Sequence, residues 1–254
     1  SYRRKQGIVI GDKTQLLQKL NKTLIEEKTK KIILVEDNRA IQEQLSKERK
    51  EQEALIKTLR RKEKSLNTQI SKKEKQTTAI NKEIDRLIRE AILASNKAAG
   101  KKGNITFELT PEARLISANF QANRGRLPWP LEKGVVTQRF GRQPHAVVKT
   151  TTIQSNGVTI ATEPSSQVRT VFEGVVMSVV TFRGSNPSVL IRHGNYISVY
   201  KNLGKLYVKK GDKVQAKQTI GEVFTNKQTG KTQLQFSIFS NVNALDPKGW
   251  IYKM

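Results

Sequence analysis

Along the first hundred residues, apolar side chains recur three and four apart in an otherwise charged chain, the spacing of a helix that presents a single stripe. Leu59, Leu66, Ile80 and Leu87 fall on one seven-residue row, and Ile56, Ile70 and Ile84 fall on another. The alternating offsets predict a coiled-coil seam. Glu63, Lys73 and Thr77 interrupt it at core registers, and Leu17, Leu20, Leu24, Leu34, Ile41 and Leu45 continue it upstream with a shift of phase. Ile32-Ile33-Leu34-Val35 is wider than a seam and marks either a bend or a contact outside the coil. From Asp12 to Ala99 no glycine, proline or aromatic residue intervenes, so nothing ends the helix and residues 1–98 read as one arm. At 1.5 Å per residue such a helix extends on the order of 130 Å. Its stripe calls for a partner helix, from an absent part of the same chain, a second copy or another protein. The alternative is a single solvated helix.

The pattern then changes twice. Residues 99–124 form a linker whose Gly100 and Gly103 stop the first helix, followed by a short helix over Pro111–Asn123. Thr110 is its N-cap, Pro111 its first residue, and Leu115, Ile116 and Phe120 its apolar face. Leu127-Pro128-Trp129-Pro130 is too rich in proline for a helix or a central strand and reads as an extended, aromatic-anchored lead-in. Beyond Gly134, short runs of Val, Ile, Phe and Tyr alternate with Gly, Asn and Pro turns. VVTQRF, GVTIAT, QVRTVFEGVVMSVVTF, SVLIRH, YISVYKNL, LYVKK, DKVQAKQTIGEVFT and TQLQFSIFS are the expected strands. Many short strands without long helices between them imply an antiparallel sheet or sandwich. The fold class expected is α+β: a long coiled-coil arm, then a mostly antiparallel β domain over residues 125–254.

Composition narrows the function. The net charge is +25, yet the excess is spread over both regions, and Tyr2 is the one aromatic residue among the first hundred. Nucleic-acid binding would call for a clustered basic footprint interleaved with stacking rings, so attraction to acidic partners or an anionic membrane face accounts better for the charge. Without cysteine, neither disulfides nor thiolate metal sites arise. No apolar run reaches the roughly 20 residues that span a bilayer. The start at Ser1-Tyr2-Arg3-Arg4 reads as the middle of a polar helix, and the expectation is that a leader precedes it in the full protein.

The candidate chemistry lies in SNGVTI, VYKNL and QLQFSI, which stand where a LytM-type zinc metallopeptidase carries H-x-G-x-D, Y-x-H-L and H-x-H-F. Around them, in order, come RGRLPWP, VVTQRFGRQPH, NGVTIAT, VRTVFEGVVMSV, VLIRHGNYISVYKNL, VKKGDKVQAKQTIGEV, LQFSIF and ALDPKGW. Together they resemble the LytM-type peptidase domain (the duplicated hybrid motif fold) across roughly residues 125–252. The resemblance puts Ser155, Thr159 and Gln235 at the zinc-ligand positions, and Asn202 and Gln233 at those of two further catalytic histidines. Zinc takes imidazole, thiolate or carboxylate ligands, so hydroxyls and amides there imply no metal, no cofactor and no peptidase activity. Those five residues would instead form a partner-binding groove. Tyr200 either lines that groove or belongs to the core, and Phe236 is assigned to the core because LQFSI alternates. His193 in a strand-end turn and His145 in a loop-like GRQPH lack a matched third donor. Glu163 and Asp246 are the remaining acidic candidates.

With the arm in front, the chain resembles the EnvC-type murein hydrolase activators, in a form found in Bacteroidetes-like bacteria. The resemblance implies a periplasmic, non-catalytic partner of N-acetylmuramoyl-L-alanine amidases in cell division. Its coiled coil would engage the periplasmic domain of FtsX in the FtsEX complex. Peptidoglycan is a further candidate ligand, and membrane association would come only through the partner. It also implies an antiparallel coil whose first helix is missing here, and a restraining segment over the groove, placed within residues 98–124. Two other readings stand beside it. One is an export-pump adaptor, since VKKGDKVQAKQTIGEV echoes a lipoyl-like turn. The other is an active zinc endopeptidase.

Overall fold

The computed structural model describes residues 2–98, 100, 106–144, 152–181 and 185–254. It divides into two compact units, residues 1–75 and 76–254. The first helix, α1 (Tyr2–Ala98), runs through the expected arm, and its last turns belong to the second unit. Within the first unit the expected stripe is exposed: Ile56, Leu59 and Leu66 remain 49%, 55% and 44% accessible. Among the described residues no helix is long and apolar enough to cross a membrane.

In the second unit the end of α1 departs from the coiled-coil expectation. Ile84, Ile88 and Ile92 are buried, with Ile80 packed beside them, against Leu190, Ile197, Val199 and Phe239. These isoleucines follow each other at four-residue steps, a ridge along one side of the helix that suits the nearly flat surface of a sheet. A seam would have kept the three-four alternation and used Leu87, which is only half-buried here.

The short helix forms as expected: α2 (Pro111–Ala122) is capped by Thr110, whose hydroxyl accepts from the Ala113 amide at 3.3 Å. Its buried side is rotated from the expected one. Ser117 and Phe120 face inward while Leu115 is 64% exposed. Phe120 stacks on His193 and Tyr196 with centroids 5.0 and 4.8 Å away, and touches Phe172 and Trp250. Gly194 lets this happen. Its φ is +73°, and a Cβ there would lie 2.5 Å from the Ala113 carbonyl oxygen and from Ser117 Cβ.

The β strands are β1 (Val135–Gln138), β2 (Gly141–Pro144), β3 (Thr152–Ser155), β4 (Val158–Ala161), β5 (Gln167–Arg169), β6 (Gly174–Val180) and β7 (Ser188–His193). There follow β8 (Tyr196–Lys201), β9 (Leu203–Leu206), β10 (Lys213–Val214), β11 (Thr219–Val223), β12 (Gln233–Ser240) and β13 (Asn243–Leu245). Among the described residues the largest sheet runs β1-β4-β12-β8-β7-β6-β10, with β13 on β12, and β5-β11-β9 form a second, all paired antiparallel. Ile160, Ile191, Leu234, Phe236 and Ile238 fill the core between them. The expected run from Gln167 to Phe182 breaks at Thr170–Glu173, because β5 pairs with β11 whereas β6 pairs with β7. The stretch LYVKK is strand only at Leu206. The GRQP stretch, expected as a loop, is β2 of a two-stranded hairpin with β3; Pro144 is tolerated because that strand has a free edge. The lead-in is extended as expected: Leu127 bridges to Ile251, and the Trp129 indole donates to the Tyr252 carbonyl at 2.8 Å.

Candidate functional site

Strand alternation decides which side chains can meet. On β8, Tyr200 points into the core, so Lys201 points to the opposite face. Antiparallel pairing puts Gln235 of β12 level with Thr159 of β4 on one side and with Lys201 of β8 on the other. The three form a row across the middle of the large sheet, on the face that the end of α1 covers. Ser155 reaches the same place from the end of β3, its hydroxyl donating to the Gly157 carbonyl at 2.8 Å. Gly157 holds β4 close to β12, since a Cβ there would come within 2.2 Å of the Phe236 carbonyl oxygen.

Ser155, Thr159, Gln235 and Lys201, with Gln138, Gln154 and Ser237, line a cavity of about 80 Å³. Thr77 and Asn81 of α1 complete its wall. The cavity is small and open to solvent on one side, where Gln154, Gln235 and Thr77 are exposed. Thr159 donates to Gln138 Oε1 at 3.2 Å, and the Lys201 ammonium donates to Asn81 Oδ1 at 3.3 Å. Lys201 is only 9% exposed, and burial pulls its pKa down to about 8.

The other expected residues fall elsewhere. Tyr200 is in the core and not in the groove. It has no exposed surface, its hydroxyl accepts from the Val171 amide at 2.9 Å, and its ring lies 5.3 Å from that of Phe236. Burial raises its pKa well above the usual tyrosine range. Asn202, with φ of 72°, ends β8 and does not line the cavity. Its amide donates to the Gln233 carbonyl at 2.6 Å and accepts from Asn186 at 2.6 Å. Gln233 lies two residues before Gln235 at the start of β12, likewise outside the cavity lining. His193 is fully buried, bonded to the Glu173 carbonyl at 2.6 Å and to the Ser198 hydroxyl at 2.7 Å. His145 lies outside the described residues. Asp246 accepts from the Lys248 amide at 3.0 Å, and neither it nor Glu163 reaches the cavity.

The segment expected to restrain the groove is described only in part. Residue 99 and residues 101–105 lie outside the described set. Within 106–124, Phe107 packs beside the α1 isoleucines and Phe120 joins the aromatic cluster. Among the described residues, the element beside the cavity is the end of α1, through Thr77 and Asn81, and Gln235 stays exposed next to it.

Residues 153–247 match the family described as Peptidase family M23. They form an M23 (LytM-type) domain. The match is narrower than the expected span of roughly 125–252, and it contains Ser155, Thr159, Asn202, Gln233 and Gln235. The chain is also 26% identical over 165 residues to the murein hydrolase activator EnvC of Escherichia coli strain K12, covering 64% of this chain and 38% of that protein. It thus spans well under half of the length of this relative. Among solved structures, a zinc-containing peptidase from Vibrio cholerae aligns with TM-score 0.43 and 25% identity, over 49% of this chain and 40% of that one. Helicobacter pylori Csd3 aligns with TM-score 0.43 and 25% identity, over 50% and 35%.

Zinc does not fit the M23 domain's cleft as it is built here. The positions expected for the ligands, Ser155, Thr159 and Gln235, offer two hydroxyls, each already donating within the fold, and one neutral amide, whereas zinc needs imidazole or anionic donors. Among the described residues no three His, Asp or Glu side chains converge on one point. The Lys201 ammonium would also repel a divalent ion in this row. What the cleft can do is donate and accept hydrogen bonds around one buried positive charge. Lys201 was missed in the sequence although its signal was there: it sits between Tyr200 and Asn202, and a core Tyr200 forces it onto the cleft face.

Proposed function

We propose that this chain is a non-catalytic activator of peptidoglycan amidases, which docks an amidase segment in its M23 cleft once the end of α1 withdraws. The observation that carries this reading is the cleft itself: Ser155, Thr159, Gln235 and Lys201 line it with hydroxyls, an amide and an ammonium, and a helix of the same chain stands against its Lys201 side. A metallopeptidase has no use for such a row, whereas a surface that must be both recognised and held shut has a use for each part. The name of the Escherichia coli relative, a murein hydrolase activator, supports the same activity.

The rest follows from that reading. The protein acts in the periplasm, in cell division. The exposed apolar stripe of residues 8–66 takes up a helical partner, for which the periplasmic domain of FtsX in the FtsEX complex is the candidate. A shift of that partner draws on α1 and opens the cleft. Peptidoglycan is a secondary ligand, nucleic acid is not one, and the membrane is met only through the partner.

The test is release of dye from labelled sacculi. The chain alone should release none, the amidase alone little, and the two together several-fold more than the amidase alone. Digestion by the chain alone would overturn the reading.

A further inference from the structure

Among the described residues, Lys201 is the buried cation of the cleft that no carboxylate faces. Its side chain lies 9% exposed beneath α1. An ammonium has three protons to donate, and the bond made here is one long contact to a neutral amide, Asn81 Oδ1 at 3.3 Å. Among the described residues the ion pairs involve Arg39, Arg86 and Lys205, and none reaches Lys201. Such a charge is costly to hold at this depth. It disfavours the closed arrangement unless a counter-charge arrives. Around it stand neutral groups, the hydroxyls of Thr159 and Ser237 and the amides of Gln138 and Gln235. They can orient a second polar group without cancelling the charge. A buried cation ringed by neutral donors has the chemistry of a carboxylate receptor. The cleft also already accepts one face of a helix.

We propose that Lys201 is the anchor through which the cleft recognises an acidic residue on a helical segment of its partner: an Asp or Glu carboxylate takes the place of the Asn81 amide as α1 withdraws. This rests on the docking function proposed above and adds the chemistry of the docked segment. The exchange replaces an ion–dipole contact by an ion pair in the same desolvated position. Charge complementarity therefore selects the partner, and α1 serves as a neutral occupant that is easily exchanged.

The experiment uses the full chain and the purified amidase of the sacculus assay, with binding followed by titration calorimetry at rising salt. Lys201→Met keeps the stem and removes the charge. It should weaken binding at least tenfold and flatten its salt dependence, while Lys201→Arg should retain most of both. In hydrogen exchange of the chain alone, the amides of residues 80–92 should open less often in Lys201→Met, because the closed state no longer buries a charge. A Lys201→Met chain that binds within twofold of wild type overturns the anchor and leaves the docking function standing. So does weaker binding with an unchanged salt dependence. A wild-type chain that neither binds nor stimulates the amidase overturns both.

Discussion

His193 carries no exposed surface and lies between the Glu173 carbonyl, the Ser198 hydroxyl and the Phe120 ring. Burial holds its pKa at about 4, below the ordinary 6.5. Because the folded value is the lower one, the fold selects the neutral ring. Its contribution is complete above pH 6.5 and is lost as pH falls from 6.5 through 4. Urea unfolding should therefore show stability declining across that window at up to about 1.4 kcal/mol per pH unit from this group. His193→Gln should remove this part of the slope. An unchanged slope in the variant would place the titration elsewhere. Residue placement was legible in the sequence where strand alternation is strict. Phe236 is in the core as LQFSI implied, and Ser155, Thr159 and Gln235 share one cavity. The same alternation, applied to Tyr200, would have moved it inward and brought out Lys201. Asn202 was not legible, because its left-handed backbone breaks the alternation at the end of β8.

The end of α1 is the element on which the functional proposal turns. Its isoleucines bury one face of about three turns, and removing one of them from such a site typically costs about 2–5 kcal/mol. Ile88 has no exposed surface. Ile88→Ala should loosen the end of α1 from the sheet, with faster hydrogen exchange over residues 80–92 and more dye release at equal amidase concentration. Looser packing without more release would separate the helix from control of the cleft. The sequence carried this element but not its role. A heptad reading and an i, i+4 ridge share Ile80 and Ile84, and they diverge only at Leu87 and Ile88. What the ridge faces is set by β7, β8 and β12, about a hundred residues away. The β2–β3 hairpin was hidden for a different reason: Pro144 reads as a strand breaker unless the strand is known to be an edge.

At the scale of the whole molecule, the succession of helix and antiparallel β domain was readable from the shift of period and from the order of the motif blocks. Those blocks also carried the M23 resemblance, which the match over residues 153–247 bears out. Which stretch borders the cleft was not readable, because the last turns of α1 and residues 98–124 adjoin each other in sequence and both precede the β domain. Only packing distinguishes them. The account as a whole requires that the cleft be opened before it can dock. The absence of cysteine makes this directly testable. Thr77→Cys and Gln235→Cys, on the two walls of the cavity, can be joined by a short cleavable bismaleimide, and the sacculus assay run before and after the linker is cut. The account predicts that the linked chain fails to stimulate the amidase and that cutting the linker restores stimulation. Equal stimulation by the linked and the cut chain would contradict it.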